Sequence, residues 1–126
     1  MKNIIIVTGG AGFVGSNLIA LLLKRTKFKI ISIDNYSTGK IKNHINDSRV
    51  KYIRGNTKNI KKILKKEINK IKTIFHFGEF SRIYQSFLNM NGCIDSNNIG
   101  SHEVFNFCLL NKIKLVYSAT SASIGN

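Results

Sequence analysis

TGGAGFVG, residues 8–15, follows a short apolar run at residues 4–7 and precedes a stretch of apolar residues with helical spacing. The apolar residues of that stretch are Val14, Leu18, Leu21 and Leu22. Strand, glycine-rich turn and helix in this order form the context in which such a turn holds a pyrophosphate group. Glycine allows the tight turn and a close approach of the phosphates, and the helix N-terminus adds free N–H groups and a partial positive charge. We therefore predict a dinucleotide-binding turn.

A carboxylate at the end of the second apolar run narrows this prediction to one dinucleotide. Asp34 follows residues 29–33 and lies nineteen positions after Gly15, where an acidic residue accepts hydrogen bonds from the ribose hydroxyls of adenosine. Its charge would repel a 2′-phosphate and no arginine follows it closely, so the sequence favours NAD over NADP. Lys40 is the residue that argues the other way. A solvated turn residue before Asn35 is the alternative interpretation of Asp34.

The rest of the chain alternates between apolar runs and segments with helical spacing. Short, β-branched runs predict strands at residues 4–7, 29–33, 50–53, 73–77 and 114–118. Helices are predicted at residues 12–24, 58–69 and 96–111, with a weaker one at 38–46. This alternation predicts an α/β fold: a Rossmann-type doubly wound parallel sheet with helices on both faces, truncated after about the fifth strand. We expect all 126 residues to form a single domain.

The chain is strongly basic, with 20 lysine and arginine residues against 6 acidic ones and a formal charge of +14. A nucleic-acid binder is one class of protein that such a charge allows. However, the lysines are spread along the whole chain, and the densest group, at residues 59–72, alternates with apolar residues at helical spacing. We expect an amphipathic helix with a solvated lysine face there, and no specific nucleic-acid partner.

The composition argues against several other classes of protein. No apolar stretch is long enough for a membrane-spanning helix, which needs about 18 residues or more. The first residues lack the pattern of a signal peptide, so we expect a cytoplasmic location. Cys93 and Cys108 have no partner at metal-ligand spacing. We therefore predict no metal site and two reduced, buried thiols.

Motifs along the chain resemble those of a known enzyme family. TGGAGFVGSNL is similar to a TGxxGxxGxxL turn with Gly9, Gly12 and Gly15 at its glycine positions, and DNYSTGK, residues 34–40, is similar to a DNxSTG segment. Both motifs resemble those of the extended short-chain dehydrogenases/reductases, in particular the NAD-dependent nucleotide-sugar epimerases and dehydratases. The resemblance implies NAD as cofactor, a nucleotide sugar as substrate, transient hydride transfer from a sugar carbon and a homodimeric parent enzyme. It also implies that residues 1–126 are the cofactor-binding part of a longer enzyme, without its later strands and substrate-binding region.

The same resemblance assigns the candidate cofactor-binding residues. Asn56 stands where the family has an acid that contacts adenine, and its side-chain oxygen still accepts a hydrogen bond. Glu79 departs from the family's FHxAA segment, and it either faces the sugar pocket or pairs with Arg82. We interpret His76 as a buried histidine at a strand end, and Asn97 resembles the asparagine of an NxxGT helix. The full set is Gly9, Gly12, Phe13, Val14, Gly15, Asp34, Asn35, Ser37, Thr38, Gly39, Asn56, Thr57, Phe77, Gly78, Glu79 and Asn97.

Catalysis in this family uses a hydroxyl residue and a Tyr-x-x-x-Lys pair in which the lysine lowers the pKa of the tyrosine. Residues 115–125 resemble the family's SSxxxYG segment and put Thr120 at the hydroxyl position. The alternatives for this role are Ser118, Ser121 and Ser123. One Tyr-x-x-x-Lys string occurs, Tyr36 to Lys40, but it directly follows Asp34 and so belongs at the adenosine end of the cofactor. We therefore expect no turnover by this chain alone, and a dinucleotide-binding module without chemistry is the alternative function.

Overall fold

A computed structural model describes residues 1–77 and 90–117 of the chain, with the backbone only for residues 90–99. Within these ranges the strands of one parallel sheet are β1 Ile4–Thr8, β2 Lys29–Asp34, β3 Val50–Arg54, β4 Ile71–His76 and β5 Lys114–Tyr117. Their order across the sheet is β3-β2-β1-β4-β5. β2 and β3 lie on one side of β1, and β4 and β5 lie on the other. The change of direction between β1 and β4 leaves a crevice at their carboxyl ends. The predicted Rossmann-type α/β fold is confirmed.

Helices and short helical turns connect these strands. α1 spans Phe13–Arg25, α2 is a single turn at Ile60–Ile63, and α3 spans Met90–Asn111. Turns of 3₁₀ helix lie at Ile41–Asn43, Thr57–Asn59 and Ile68–Lys70. None of the helices in the described ranges combines the length and the apolar character that a membrane span requires.

Apolar side chains on both faces of the sheet form the core. Ile4 and Ile6 of β1 belong to the cluster that α2 and α3 cover. Ile5 and Val7 point to the opposite face, where they pack with Ile19 of α1. Because successive side chains alternate along a strand, β1 is buried on both faces, as is typical of a parallel sheet covered by helices. The glycine turn therefore follows a strand that is buried along its whole length.

The prediction of a continuous helix at residues 58–69 is wrong, because the segment contains only α2 between two 3₁₀ turns. Lysines four residues apart repel each other along a helix, and positions 61 and 65 and positions 62 and 66 form such pairs. Successive short turns still direct the apolar side chains inward, so that Ile60, Leu64 and Ile71 are fully buried. The lysines are exposed, as predicted. The pattern of burial was predicted correctly, although the type of element was not.

Two other helical segments differ from the prediction in extent. α3 begins at Met90, upstream of the expected start at residue 96, and ends at Asn111 as expected. Residues 38–46 contain only the 3₁₀ turn Ile41–Asn43 instead of a short helix. This loop lacks a stripe of apolar residues to bury, and most of its side chains are exposed or half-buried.

The buried side of α1 agrees in part with the prediction, since Leu18 and Leu22 pack against the core. Gly15 and Ile19 are its buried residues, whereas Val14 and Leu21 are 57% and 48% exposed. Gly15 has no side chain to separate the helix from the preceding turn, so the helix rests on the turn at this position. Val14 is consequently left on the outer side of the helix N-terminus.

Candidate dinucleotide-binding site

The turn between β1 and α1 folds back on itself. Gly9 has a φ of 73°, in the left-handed region that favours glycine. Its carbonyl accepts a hydrogen bond from the Gly12 amide at 3.0 Å. A Cβ at Gly15 would collide with the same carbonyl, so α1 approaches the turn more closely than any other residue allows. The predicted glycine positions thus form a compact surface of backbone.

The N-terminus of α1 is open to an anionic ligand. Gly12 precedes the helix and has no side chain that caps it, and the first turn contains no acidic residue. The first N–H groups of a helix have no acceptor within the helix, and an anion at this end satisfies them. Phe13 and Val14, both predicted to contact the cofactor, are 81% and 57% exposed beside these N–H groups. This end of the helix therefore offers hydrogen-bond donors next to apolar side chains.

Asp34 links the glycine turn to the chain that follows β2. Its side chain is buried, with 8% of the residue exposed. Oδ2 accepts a hydrogen bond from the Ala11 amide at 3.0 Å, and Oδ1 accepts one from the Tyr36 amide at 2.8 Å. A carboxylate oxygen can accept more than one hydrogen bond, so both oxygens remain able to accept from ribose hydroxyls. This geometry fits a carboxylate that is held ready for a ribose, and it does not fit the alternative of a solvated turn residue.

Residues 35–44, named here the β2 loop, fold over the glycine turn. The Ala11 carbonyl accepts two hydrogen bonds from this loop, one from the Lys40 amide at 3.0 Å and one from Asn43 Nδ2 at 2.7 Å. Ala11 itself is fully buried. The two loops that are predicted to face the adenosine and the phosphates are therefore one connected unit.

The predicted contact residues of the β2 loop lie around the Asp34 carboxylate. A Cβ at Gly39 would come within 2.6 Å of Asp34 Oδ2, so the loop passes directly beside the carboxylate and requires glycine there. Asn35 Oδ1 accepts a hydrogen bond from the Ser37 amide at 2.9 Å, which tightens the start of the loop. Asn35, Ser37 and Thr38 are exposed at its surface. The structure thus brings these four predicted residues together at one edge of the sheet.

An aromatic cluster supports the outer side of the β2 loop. The Tyr36 hydroxyl lies 2.6 Å from His44 Nε2, and the His44 ring stacks on Tyr52 with ring centres 3.8 Å apart. The Arg54 guanidinium lies 4.4 Å from the centre of the Tyr36 ring, on its face. Tyr36 also has a φ of 62°, which few residues other than glycine adopt. These contacts hold both ends of the loop against β3.

Tyr36 does not have the properties of a catalytic tyrosine. Burial raises its pKa, and the nearby Asp34 charge raises it further, which outweighs the lowering effect of Arg54. A catalytic tyrosine of the Tyr-x-x-x-Lys type needs a lowered pKa. Lys40 is exposed, on the part of the loop that bonds to the glycine turn. The string therefore lies in the β2 loop, directly beside Asp34.

The chain after β3 brings Asn56 to the same edge of the sheet. The Gly55 amide donates to the Asp34 carbonyl at 3.0 Å, which fixes this segment beside β2. Asn56 Oδ1 accepts a hydrogen bond from the Lys58 amide at 3.0 Å and so caps the following 3₁₀ turn. The oxygen has a second lone pair for the predicted adenine contact. Thr57 is buried, with 5% of the residue exposed.

A buried hydrogen-bonded chain joins the ends of β1 and β4 to α3. His76 is fully buried, with Nδ1 2.7 Å from Thr8 Oγ1 and Nε2 3.2 Å from Ser101 Oγ. The Phe77 amide donates to Thr8 Oγ1 at 2.9 Å, so the same hydroxyl joins the backbone after β4 to the His76 ring. Burial lowers the pKa of His76 to about 4, so its ring is neutral near pH 7. The interpretation of His76 as a buried histidine with structural hydrogen bonds is confirmed.

Several predicted residues lie outside the described part of the chain. They are Gly78, Glu79, Arg82, Ser118, Thr120, Ser121 and Ser123. Asn97 lies on α3, but its side chain and that of Cys93 are also outside the description. Cys108 is a free, buried thiol, and burial raises its pKa to about 11. Within the described ranges, no three His, Cys, Asp or Glu side chains form a group that could hold a metal ion.

Known proteins with this sequence pattern and fold can now be compared with the chain. The sequence model of the NAD-dependent epimerase/dehydratase family matches residues 5–126. The chain belongs to this family. This confirms the resemblance seen in the motifs and gives NAD as the cofactor of the family.

Solved structures of epimerases share the fold. An epimerase from the methanogen Methanothermobacter thermautotrophicus is 25% identical, with a TM-score of 0.79 over 92% of this chain. UDP-glucose 4-epimerase from Thermotoga maritima, solved with UDP-glucose, is 22% identical, with a TM-score of 0.76 over 90% of the chain. UDP-glucose 4-epimerase from Thermus thermophilus, solved with NAD, is 24% identical, with a TM-score of 0.72 over 89%. The chain spans 34%, 37% and 36% of the lengths of these proteins, about a third in each case.

Proposed function

We propose that this chain binds NAD across the carboxyl ends of β1, β2 and β4, as the cofactor-binding part of a nucleotide-sugar epimerase or dehydratase. The observation that carries the proposal is the hydrogen bond from the Ala11 amide to Asp34 Oδ2, next to the open N-terminus of α1. This bond joins a buried carboxylate, which would accept from a ribose, to the turn that leads into uncapped helix N–H groups, which would donate to phosphates. A dinucleotide carries a ribose diol and a pyrophosphate at adjoining positions, so one ligand satisfies both.

Different residues of this chain would bind different parts of the cofactor. The first N–H groups of α1 would hold the pyrophosphate, Asp34 would accept hydrogen bonds from the adenosine ribose, and Asn56 would accept one from the adenine amino group. Phe77 follows β4 at the crevice, where the nicotinamide end is expected. The other residues proposed for that end are Gly78, Glu79 and Asn97. Bound here, NAD supplies a hydride acceptor for a sugar carbon.

In a complete enzyme, we propose that Thr120 binds a hydroxyl group of the nucleotide sugar and shares its proton. The Tyr36 hydroxyl bonds to His44 within the β2 loop and its pKa is raised, so we propose that the string Tyr36 to Lys40 does not supply the base. Turnover would therefore require a tyrosine and a lysine from outside residues 1–126. We also propose that such an enzyme is a homodimer, as the family resemblance implies.

A calorimetric titration of the chain with NAD and with NADP tests cofactor binding. We expect binding of NAD, weaker binding of NADP because of the Asp34 charge, and a loss of about tenfold or more for Asp34→Asn. Asp47→Asn is the matched control. It makes the same change in charge at a residue whose carboxylate lies 3.8 Å from Arg49 and contacts no part of the proposed site. No heat and no thermal shift at millimolar NAD would contradict the proposal.

A dinucleotide-binding module without chemistry is the second candidate. The observation that favours it is the raised pKa of Tyr36, in the one Tyr-x-x-x-Lys string of the sequence. The test is to incubate the chain and NAD with UDP-glucose, the ligand of the Thermotoga relative, and to follow both sugar conversion and NADH absorbance. Conversion would exclude the second candidate. A reading frame that continues without a Tyr-x-x-x-Lys pair would favour it.

A further inference from the structure

Ala11 is the residue at which the glycine turn and the β2 loop are joined. Its amide donates to Asp34 Oδ2, and its carbonyl accepts from the Lys40 amide at 3.0 Å and from Asn43 Nδ2 at 2.7 Å. Asn43 lies 32 positions after Ala11 in the sequence. The proposed function gives Asn43 no contact with the cofactor. Its side chain is half-buried and reaches across the loop to a single backbone oxygen.

The position of Asn43 is fixed by its neighbours. It ends the 3₁₀ turn Ile41–Asn43, and its own amide donates to the Lys40 carbonyl at 3.0 Å. The next residue, His44, lies 2.6 Å from the Tyr36 hydroxyl and is stacked on Tyr52. The donor group is therefore held in place before any ligand binds, which lowers the entropy cost of using it.

The hydrogen bond to Ala11 controls one peptide unit of the glycine turn. The Ala11 carbonyl and the Gly12 amide belong to the same planar peptide, and the Gly12 amide donates to the Gly9 carbonyl at 3.0 Å. Glycine adopts positive and negative φ with similar ease, so Gly12 does little to oppose a rotation of this peptide. Rotation would set the Ala11 and Gly9 carbonyl oxygens against each other and displace Gly12, the residue that precedes α1.

We propose that Asn43 is a positioning residue for the groups that bind the cofactor pyrophosphate. It acts on these groups only through its hydrogen bond to Ala11. The Asn43 side chain and the Lys40 amide together hold the Ala11 carbonyl toward the β2 loop, which fixes Gly12 and so orients the first N–H groups of α1. This inference rests on the proposed function, because it assumes that these groups bind the phosphates of NAD. Asn43 touches neither the phosphates nor the adenosine.

The test compares ligands with and without a pyrophosphate. NAD is titrated by calorimetry and adenosine by NMR shift changes, on the full chain and on Asn43→Asp and Asn43→Ala. Both substitutions remove the Nδ2 donor; aspartate keeps the shape of the side chain, and alanine adds no charge. We expect NAD affinity to fall three- to tenfold, as a hydrogen bond of ordinary net strength predicts, with adenosine affinity unchanged.

Asn111→Asp is the matched control, because Asn111 Nδ2 donates to the Phe107 carbonyl at 2.8 Å within α3, away from the glycine turn. It should change neither affinity. Equal NAD affinity in the unchanged chain and in Asn43→Ala would overturn the inference. So would equal losses for NAD and adenosine, because they would show that Asn43 supports the whole site. If the unchanged chain fails to bind NAD, the proposed function itself fails, whatever Asn43 does.

Discussion

The carboxyl ends of β2 and β4, the strands on either side of β1, are held by different interactions. On the β2 side, the ionisable carboxylate of Asp34 bonds to backbone amides in two loops. On the β4 side, the buried His76 ring bonds to the buried Thr8 and to the half-buried Ser101. The first arrangement depends on backbone amides of two loops, and the second is centred on a ring that solvent does not reach. One edge of the sheet thus combines a half that is held by two loops with a half that contains a buried, titratable histidine.

Gly15→Val should have the largest effect, because it damages the turn that both sides share. A side chain at Gly15 would collide with the Gly9 carbonyl. We expect the free energy of unfolding to fall by about 3 kcal/mol or more and NAD binding to be lost. Urea unfolding and calorimetry measure the two effects. Gly12→Ala is the control for stability, since a Cβ there would lie 3.3 Å from the same carbonyl; an equal fall in the free energy of unfolding in both variants would contradict the prediction.

Acid should selectively weaken the β4 side. Burial lowers the pKa of His76 from 6.5 to about 4, so below pH 6.5 the unfolded chain takes up a proton that the folded chain does not. Stability from this group is complete above pH 6.5, and it should be lost progressively as the pH falls to about 4, by up to about 3 kcal/mol. Unfolding free energies measured across this range test the prediction. His76→Gln should flatten the dependence, and an unchanged slope in this variant would refute the assignment.

Asp34→Asn should lower the stability that the β2 side contributes, and it should leave the pH dependence caused by His76 unchanged. The amide group of asparagine would turn an N–H donor toward the Ala11 or the Tyr36 amide, each of which needs an acceptor. We expect a loss of about 2 kcal/mol in the free energy of unfolding. The same pH series, repeated on this variant, should keep the slope that His76 causes. A changed slope would mean that the two sides are coupled.

Ser101→Ala should have the smallest effect, since it removes only the outer bond of the buried chain. The Ser101 hydroxyl lies 3.2 Å from His76 Nε2, and we expect its loss to reduce the free energy of unfolding by about 1 kcal/mol. Thermal unfolding of Ser101→Ala beside Ser48→Ala, a substitution at an exposed position, measures the difference. Equal unfolding temperatures in the two variants would show that the Ser101 hydroxyl does not stabilise the β4 side.

The sequence predicted those parts of the molecule whose causes are local. The glycine turn, the strands and Asp34 follow from residues that are adjacent or at a fixed spacing, so the fold and the β2 side of the site could be predicted. The bonds of Asn43 to Ala11 and of Ser101 to His76 join residues 32 and 25 positions apart. Nothing in the neighbouring sequence distinguishes these polar side chains from others that face solvent. They depend on how the loops and α3 pack, which periodicity does not describe.

The helix predicted at residues 58–69 shows a different limit. Apolar spacing of three to four residues is satisfied by a continuous helix and equally by consecutive short turns. Here the repeated lysines disfavour the continuous helix, while burial of Ile60 and Leu64 needs only the spacing. Hydrophobic periodicity therefore predicts which residues are inside more reliably than it predicts the backbone that puts them there.

The aromatic cluster of the β2 loop gives the chain a built-in optical signal. The sequence has no tryptophan and four tyrosines, and two of these, Tyr36 and Tyr52, lie on either side of His44. Near-ultraviolet circular dichroism and tyrosine fluorescence will therefore include a contribution that depends on the order of this one loop. A ligand that binds beside this loop can therefore be followed spectroscopically without any label.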